Sequence, residues 1–374
     1  RHSGRLTPYP TAHPHTPPHR HTPHPPPHMF VALLFLLMVT AVAFSFLRDE
    51  RPVTRILVYA GIAAAITLMA GLRPLGIDKD SLQYYSYYLG NFDDMVEPTF
   101  IFISETVRAT LGDVQGIFIV YALLAIPLKC FVFTRLSKEY FLLLAVYMSH
   151  FLILHDMTQI RVGAAVAFII LGFYFMVQRR RWLTAVLFAI AVFFHITAIL
   201  AFLMLLFRNN DMKIWHRVVL AFAPCMAFAS VLYNIDFISL IPFGFVQDKL
   251  MLYEEIKDKG LADVEQINIF NAAIMLKMMV YYVLLWKYDE VKAHCPYITL
   301  LLKIFALSYI CLGVFNFIAV YAARISELFG FVEILMVPLL IHIIRPVWAA
   351  RLLILIYVCG IFLIDVIYTQ LLQI

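Results

Sequence analysis

Long apolar segments separated by short polar turns fill the chain after residue 28. A helix needs about 20 apolar residues to cross the hydrocarbon of a bilayer, and a helix satisfies its own backbone hydrogen bonds there. Most of the segments approach that length. The pattern therefore predicts an all-α, polytopic transmembrane helical bundle. The segments are 29–47, 53–71, 115–133, 140–154, 161–177, 183–207, 216–233, 268–287, 297–317, 325–344 and 352–370.

Short turns rich in lysine and arginine punctuate these segments. If all of them face the cytoplasm, as the positive-inside rule favours, segment 183–207 must cross the membrane an even number of times. A single helix there would place turns 178–182 and 208–217 on opposite sides. We therefore predict two short helices hinged near the sequence FFHIT, with His195 at the tip of a hairpin. The turns are 48–55, 134–138, 178–182, 208–217, 287–292 and 345–351.

This hairpin gives about 11 to 12 spans and places both chain ends outside the cytoplasm. Segments 72–114 and 234–267 become outer loops. Loop 234–267 carries seven acidic residues and three lysines, which suits the outer side. We expect one transmembrane domain over 29–374. The Pro/His-rich residues 1–28 lack an apolar run, so we expect a disordered leader that is not native, with Met29 as the natural start.

The composition supports a membrane protein and excludes several other classes. Hydrophobic residues make up 63% of the chain, charged residues only 14%, and the mean hydropathy is +0.84, beyond what a water-soluble domain of this size buries. The net charge of +5 resides mainly in the short turns, which argues against a nucleic-acid partner. The five cysteines show no metal-binding spacing and are interpreted as apolar fillers.

Charged and ionisable residues near the apolar segments converge on the predicted outer side. A lone charge at a helix end is often a snorkelling side chain, and Arg161 by itself fits that description. Arg161, His195 and Arg324 belong to three separate spans, however, and could share one outward-facing cavity. The full set is Asp78, Asp80, Glu97, His155, Asp156, Arg161, His195, Arg324 and Glu327.

Two arginines beside a carboxylate or a histidine suit chemistry on a lipid diphosphate. A guanidinium group stays charged and donates paired hydrogen bonds, so two of them could bind a diphosphate and stabilise the charge that grows as it leaves. A histidine or a carboxylate could accept the proton of an attacking hydroxyl. This combination indicates glycosyl transfer from a lipid-diphosphate sugar.

Five short motifs in order resemble the EpsG-like branch of the Wzy polysaccharide polymerases. The resemblance implies a GT-C-like enzyme of the bacterial inner membrane that joins oligosaccharide units carried on undecaprenyl diphosphate, for O-antigen, capsule or exopolysaccharide, at the outer face. It implies no cofactor, and a chain-length regulator and a flippase of the same pathway as partners. The motifs are IDKDSLQYYSYY (77–88), EPTF (97–100), QIRVG (159–163), FFHITA (193–198) and YAARISELF (321–329).

The resemblance also suggests residue roles. Arg161 and Arg324 would contact the diphosphate, and His195, Asp80 or Glu97 would be the base, with no choice among the three. Gln159, Tyr84, Tyr85 and Glu327 are expected to bind substrate. The tyrosines at 84, 85, 87 and 88 could stack on sugars, but an interfacial aromatic belt is equally consistent with them. Glu327, three residues after Arg324, is expected to pair with it, which would make Glu327 structural.

Other interpretations remain open at this point. The triplet Asp78-Lys79-Asp80 matches the D-x-D pattern of metal-dependent glycosyltransferases, but it is too short to count, and we predict no metal. A flippase or transporter would also need arginines, although along a path through both membrane halves. A membrane acyltransferase or a glycan ligase are further alternatives. Lys277 and Glu333 lie away from the outer set and are expected to pair across helices.

Overall fold

The computed structural model describes residues 26–47, 51–91, 96–233, 235, 268–316 and 319–373. Over these residues the regular structure is helical, with one isolated antiparallel bridge between Asp78 and Leu372. Residues 1–25 of the expected leader lie outside the described residues, as does nearly all of the expected outer loop 234–267.

Helices follow one another with short connections along the chain. The first elements are α1 (Pro27–Phe46), α2 (Pro52–Gly71), α3 (Ser81–Tyr88), α4 (Pro98–Thr110), α5 (Gln115–Leu136), α6 (Tyr140–Val146) with a π-helix (Tyr147–Thr158), α7 (Ile160–Val177), α8 (Arg181–Phe194) and a 3-10 helix (Ile196–Leu206). The remaining elements are α9 (Ile214–Leu232), α10 (Ala272–Trp286), α11 (Tyr288–Lys292), α12 (Ile298–Val314), α13 (Ala319–Gly330), α14 (Val332–Met336) with a 3-10 helix (Val337–His342), and α15 (Val347–Leu363) with a π-helix (Ile364–Tyr368).

Eight of the described helical stretches are long and apolar enough to cross a membrane. Four shorter apolar helices accompany them: α8, the 3-10 helix Ile196–Leu206, α10 and α12. The predicted all-α, polytopic membrane fold is confirmed. The short helices α3 and α4 lie within the predicted loop 72–114 and make up about half of it.

The predicted hairpin of 183–207 is present, with its hinge at His195. His195 has an extended backbone, and α8 ends there. The chain then reverses, and two contacts between the arms show this. A guanidinium nitrogen of Arg181 lies 3.5 Å from the carbonyl oxygen of Phe207, and the ring centres of Phe188 and Phe202 lie 5.9 Å apart. The arms are about 21 and 22 Å long from their helical rises. Both are shorter than the roughly 30 Å of hydrocarbon, so the hinge lies below the membrane surface when the open end of the hairpin sits at the opposite interface.

The basic turns meet at one end of the bundle, which we call the basic end. The hydroxyl of Tyr297 donates to the carbonyl of Leu136 over 2.6 Å, and the guanidinium of Arg217 pairs with Asp289. Arg351 pairs with Glu139, which closes the last turn onto the start of α6. The guanidinium of Arg55 lies 5.8 Å from the ring centre of Tyr140, and the amides and guanidinium groups near the hairpin join Arg181 to Phe207 and Asn209 to Pro296. Together these contacts place the six basic turns at one end.

The remaining connections meet at the other end, which we call the site end. Arg73 at the end of α2 donates to the carbonyl of Met157 over 2.5 Å, and the amide of Gln373 donates to the carbonyl of Ile77 over 2.7 Å. The bridge between Asp78 and Leu372 lies at the same place. These contacts bring together the start of segment 72–114, the end of the π-helix and the last residues of the chain, whereas the expected outer loop 234–267 lies almost entirely outside the described residues.

The helix that precedes the site end widens into a π-helix over Tyr147–Thr158, and all its residues are buried. π-Helical turns are rare and often lie at functional positions. Helix α7 packs closely against this segment at Gly163. A Cβ atom there would overlap the carbonyl oxygen of His155 and lie 2.7 Å from Oδ1 of Asp156. Glycine at 163 therefore allows α7 and the π-helix to meet.

Replacing Gly163 by alanine is expected to destabilise the protein by about 1–3 kcal/mol, because the added methyl group meets backbone that cannot rotate away. Thermal unfolding of the purified protein in detergent measures the effect. Gly61→Ala is the matched control, since nothing lies within 4 Å of its added Cβ and alanine favours a helix interior. Equal unfolding temperatures for the two variants would contradict this close packing.

Candidate active site

A carboxylate at the start of α4 joins two of the predicted site residues. Oε2 of Glu97 accepts a hydrogen bond from Arg161, and Oε1 lies 2.7 Å from Nδ1 of His195 and 3.4 Å from the amide of Ile196. Glu97 is buried, and His195 and Arg161 keep only 14% and 17% side-chain exposure. Three predicted site residues from three separate segments therefore form one connected group.

Local sequence explains how these segments meet. Pro98 begins α4 and leaves Glu97 in an extended conformation just before the helix. The next polar residue, Thr99, donates its hydroxyl to the carbonyl of Phe193 over 2.5 Å. Helix α8 ends at Phe194, just before the hinge at His195. The residues on either side of Pro98, Glu97 and Thr99, therefore both bind the chain at this hinge.

The surroundings of Glu97 favour its ionised form. Burial is the largest influence and by itself would raise the pKa of the carboxyl, but the hydrogen bond from His195 and the charge of Arg161 outweigh it, so the pKa of Glu97 is lowered. Both oxygens are occupied by donors. Glu97 is therefore suited to hold Arg161 and His195 in place.

Arg161, in the first turn of α7, is surrounded by aromatic rings. Its guanidinium carbon lies 6.0 Å from the ring centre of Tyr84 and 5.8 Å from those of Tyr87 and Phe100. Cation–π attraction of this kind stabilises a charge where water is scarce. Tyr84 is only 3% exposed and packs on Phe100, so it lies beside the arginine and not at a surface open to a sugar ring. Tyr85 is half-buried against the same aromatic cluster.

The charges of both predicted diphosphate ligands, Arg161 and Arg324, act on the carboxyl group of Asp80. Burial raises the pKa of the Asp80 carboxyl, while the charges of Arg324 and Arg161 both oppose the rise. Arg324 itself is exposed on α13, and no carboxylate among the described residues forms an ion pair with it. Arg161, which Glu97 holds in place, and Arg324, which is exposed, therefore both influence the Asp80 carboxyl through their charges.

Asp78 has a different environment from Asp80. Its carboxylate pairs with Nε of Arg73 at 2.7 Å, and both side chains are fully buried. The guanidinium of Arg73 also lies 3.9 Å above the ring of Phe118 and donates to the carbonyl of Ala70. The D-x-D triplet is therefore split between a structural ion pair and a half-buried carboxyl. Arg73 was missed from the sequence, although its place at the end of an apolar segment, five residues before Asp78, was a usable signal.

His155 and Asp156 were predicted to join the outer set, and their placement corrects that prediction. Both oxygens of Asp156 bind Nζ of Lys129, at 2.6 and 2.7 Å, and one accepts the hydroxyl of Tyr147. His155 is fully buried, and within the described part of the chain neither ring nitrogen has a hydrogen-bond partner. Both residues lie within the buried π-helix, which extends to Thr158, and not in the expected turn. Lys129, inside α5, was not anticipated.

Glu327 likewise departs from its predicted pairing. Among the described residues no ion pair joins it to Arg324; it lies 3.5 Å from Nζ of Lys277 and 3.3 Å from Nε2 of His150. Nδ1 of His150 contacts Asp365 at 2.6 Å. The predicted pairing of Lys277 with Glu333 is confirmed at 3.1 Å. Glu327 therefore ties α13, which carries Arg324, to α10 and to the π-helix.

Two further features lie near the site. Gln159 immediately precedes α7, and its buried side-chain oxygen has no hydrogen-bond partner. A cavity of about 470 Å³ adjoins the Asp78–Leu372 bridge and is lined by Lys79, Val366, Ile367, Gln370, Leu372 and Gln373. Its amide and ammonium groups are of the kind that bind sugar hydroxyls and phosphates.

Across the described residues, no group of three or more His, Cys, Asp or Glu side chains is arranged to hold a metal ion.

Comparison with known proteins adds one finding. The sequence model of the EpsG family matches residues 56–372, a range that contains Asp80, Glu97, Arg161, His195 and Arg324. No curated protein and no solved structure gives a significant match. The all-α membrane fold agrees with this match. Because the family match covers most of the chain, the chain belongs to the EpsG family of Wzy-like polysaccharide polymerases and glycosyltransferase-like membrane proteins.

Proposed function

We propose that this protein is a metal-independent polymerase that joins undecaprenyl-diphosphate-linked oligosaccharide repeat units. The observation that carries the proposal is the connected group Glu97–Arg161–His195, with Asp80 and Arg324 beside it. Family membership supports a polymerase-like role, and the site supplies fixed positive charge and a histidine within one cluster. These are the groups that glycosyl transfer from a diphosphate requires.

In this proposal the diphosphate lies between Arg161 and Arg324. Arg161 is held by Glu97 and by three aromatic rings, so its charge is already in place before substrate arrives. Arg324 is exposed and free of carboxylate partners among the described residues, so it is available to close over the leaving group. The two arginines would neutralise the negative charge that develops when the diphosphate departs.

The geometry favours His195 over Glu97 as the base. Glu97 has a donor on each oxygen, whereas the contact of His195 with Glu97 uses Nδ1 and leaves Nε2 outside that contact. A carboxylate that accepts from Nδ1–H fixes the tautomer whose Nε2 accepts a proton, as in other base–carboxylate pairs. Asp80, half-buried and with a raised pKa, is the second candidate for this role.

The proposed reaction is a displacement at the anomeric carbon of the donor glycan. The acceptor hydroxyl forms a new C–O bond while its proton passes to Nε2 of His195. The bond from the anomeric carbon to the diphosphate oxygen breaks, and the diphosphate leaves with the bonding electrons, still attached to its lipid. No oxidant, nucleotide or metal is consumed.

We infer the orientation from charge. The basic turns meet at one end of the bundle, and the positive-inside rule assigns that end to the cytoplasm. The site end would then face the outer side of the bacterial cytoplasmic membrane, where lipid-linked repeat units are accessible. A cysteine introduced at Lys79 tests this orientation. On intact cells, an impermeant thiol reagent is expected to label it. Labelling only after lysis would place the site end in the cytoplasm.

Reconstitution of the purified protein with a purified lipid-linked repeat unit tests the activity. A ladder of longer glycans on the lipid supports the proposal. Transport of the unit across a vesicle membrane without elongation would assign a flippase instead, and transfer of glycan to a different acceptor would assign a ligase. The buried charges inside the bundle pair with one another, as Lys129 with Asp156 and Lys277 with Glu333, which argues against an open polar path for transport.

Arg324→Lys is expected to lower the elongation rate at least about 10-fold while leaving thermal stability unchanged, because among the described residues no carboxylate forms an ion pair with its exposed guanidinium. The matched control is Arg108→Lys, an arginine that binds the carbonyl of Tyr88 in a neighbouring helix. Elongation by Arg324→Lys at the rate of the control would remove Arg324 from the site.

A further inference from the structure

A second cavity lies at the basic end, away from the proposed active site. It has a volume of about 230 Å³ and forms where α7 ends, α8 begins and the hairpin returns to Phe207. Three of its lining residues are arginines and two are asparagines, all capable of donating hydrogen bonds. The lining residues are Met176, Arg179, Arg181, Phe207, Arg208, Asn209, Asn210 and Leu300.

The part of the chain that the structure describes does not neutralise the positive charge around this cavity. Among the described residues, no carboxylate forms an ion pair with Arg179, Arg181 or Arg208, and no acidic side chain lines the cavity. The nearby Asp211 is occupied by Lys292. Lys303 adds a further cation, since its Nζ donates to the carbonyl of Arg208 over 2.9 Å. Three guanidinium groups around one space repel each other unless an anion joins them.

Arg179 occupies a backbone position that normally belongs to glycine. Its φ is +62°, in the left-handed region. The amides of Arg179 and Arg180 donate to the carbonyls of Met176 and Phe175, which is the pattern that closes a helix with a left-handed residue. A side chain there strains the backbone, so the chain carries a guanidinium where glycine would be more stable.

Helix α8 adds to the attraction for an anion. It begins at Arg181, no side chain caps its first turn, and its 14 residues give its N-terminus a partial positive charge. Beside the cavity, Trp182 is 68% exposed and Leu206 is 76% exposed. Exposed apolar and tryptophan side chains at a helix end are typical of the lipid interface, so acyl chains have a surface next to the arginines.

We propose that this cavity binds the phosphate of an anionic phospholipid headgroup from the membrane leaflet at the basic end. The phosphate oxygens accept from the three guanidinium groups and the asparagine amides, and the acyl chains lie along Trp182 and Leu206. Basic pockets between helices near the cytoplasmic surface suit this chemistry. The proposal is independent of the polymerase activity.

The test uses the full-length protein in nanodiscs and a variant that separates binding from folding. Arg179→Gly removes a guanidinium and also relieves the left-handed strain, so without anionic lipid its unfolding temperature should equal or exceed that of the unmodified protein. Its affinity for phosphatidylglycerol, measured by titration against a phosphatidylcholine background, should fall about fivefold. Arg180→Gln is the matched control, since it removes a neighbouring charge that does not line the cavity.

Loss of phosphatidylglycerol affinity in Arg179→Gly with affinity retained in Arg180→Gln is the expected result. Equal losses in both variants would show a diffuse effect of surface charge and overturn the site, and so would unchanged affinity in both. Inorganic phosphate alone is the second probe. If it binds the detergent-solubilised protein as tightly as the lipid does, and in the same Arg179-dependent way, the ligand is free phosphate and the lipid assignment fails.

Discussion

Replacing Arg161 by lysine is expected to lower the rate of glycan elongation by about 100-fold, which corresponds to about 2.7 kcal/mol of transition-state stabilisation. Lysine keeps the charge but has one ammonium group in place of a planar fork. The guanidinium of Arg161 donates to Oε2 of Glu97 and lies among three aromatic rings. If the single ammonium group of a lysine keeps the contact with Glu97, no further N–H donors are held in a fixed plane for the diphosphate.

The measurement is the initial rate of ladder formation by reconstituted protein, with substrate binding determined in parallel. Arg108→Lys, at the same end of the bundle and outside the Glu97–Arg161–His195 group, is the control for a simple loss of arginine. Thermal unfolding is measured for both variants, because Arg161 also contributes to packing. An Arg161→Lys variant that folds and elongates like the unmodified protein would refute a diphosphate-binding role for this residue.

Replacing His195 by asparagine is expected to reduce elongation about 10²- to 10⁴-fold, the range that a positioned general base contributes. The asparagine amide occupies nearly the position of Nδ1 and preserves the hydrogen bond to Oε1 of Glu97, which is 2.7 Å long in the native protein. It provides nothing at the position of Nε2. The variant therefore separates proton transfer from support of the hinge.

Single variants distinguish His195 from Asp80 as the base. With His195 in this role, His195→Asn loses most of its elongation activity and Asp80→Asn retains most of it. If His195→Asn instead keeps the native rate and Asp80→Asn loses it, the half-buried Asp80 is the base. In that case the native rate falls on the acid side at a pH above the ordinary range of an aspartate, because burial raises the pKa of the Asp80 carboxyl.

Periodicity and charge predicted the hairpin of 183–207 correctly. The argument required only the length of the segment and the basic turns on both sides, which are linear features of the chain. The structure places the hinge at His195 and returns Phe207 to Arg181. The order of short motifs was likewise enough to indicate the family, which the match over residues 56–372 confirms.

Side-chain direction inside the bundle was less predictable. Asp156 precedes Arg161 by only five residues, so both were expected at one cavity, yet Asp156 binds Lys129 while Arg161 binds Glu97. The π-helix continues to Thr158, so Asp156 lies within a buried helix and not in the expected turn, while Arg161 lies in the first turn of the next helix, α7. The apolar pattern of the sequence does not reveal which partners such buried polar residues meet after packing.

The pairing of Glu327 was wrong for a related reason. A spacing of three residues brings Glu327 and Arg324 to neighbouring positions on one helix, which favours a local ion pair. Lys277 and His150 compete for Glu327 from other helices, 50 and 177 positions away in sequence. Between buried groups these long-range contacts outweigh an exposed local one, since an unpaired buried charge costs more than a surface pair contributes.

The sequence by itself determined the helical membrane fold, the separation of a basic end from a site end, the break at His195 and the family. The family follows from the order of short motifs, and the other three follow from apolar length and from the distribution of charge along the chain; none of these depends on how helices rotate. Tertiary structure alone decided that Glu97 joins Arg161 to His195, that Asp78 and Asp80 have different roles, and that Asp156 and Glu327 turn inward. These contacts depend on the rotation of each helix and on partners distant in sequence, and both are fixed only when the helices pack.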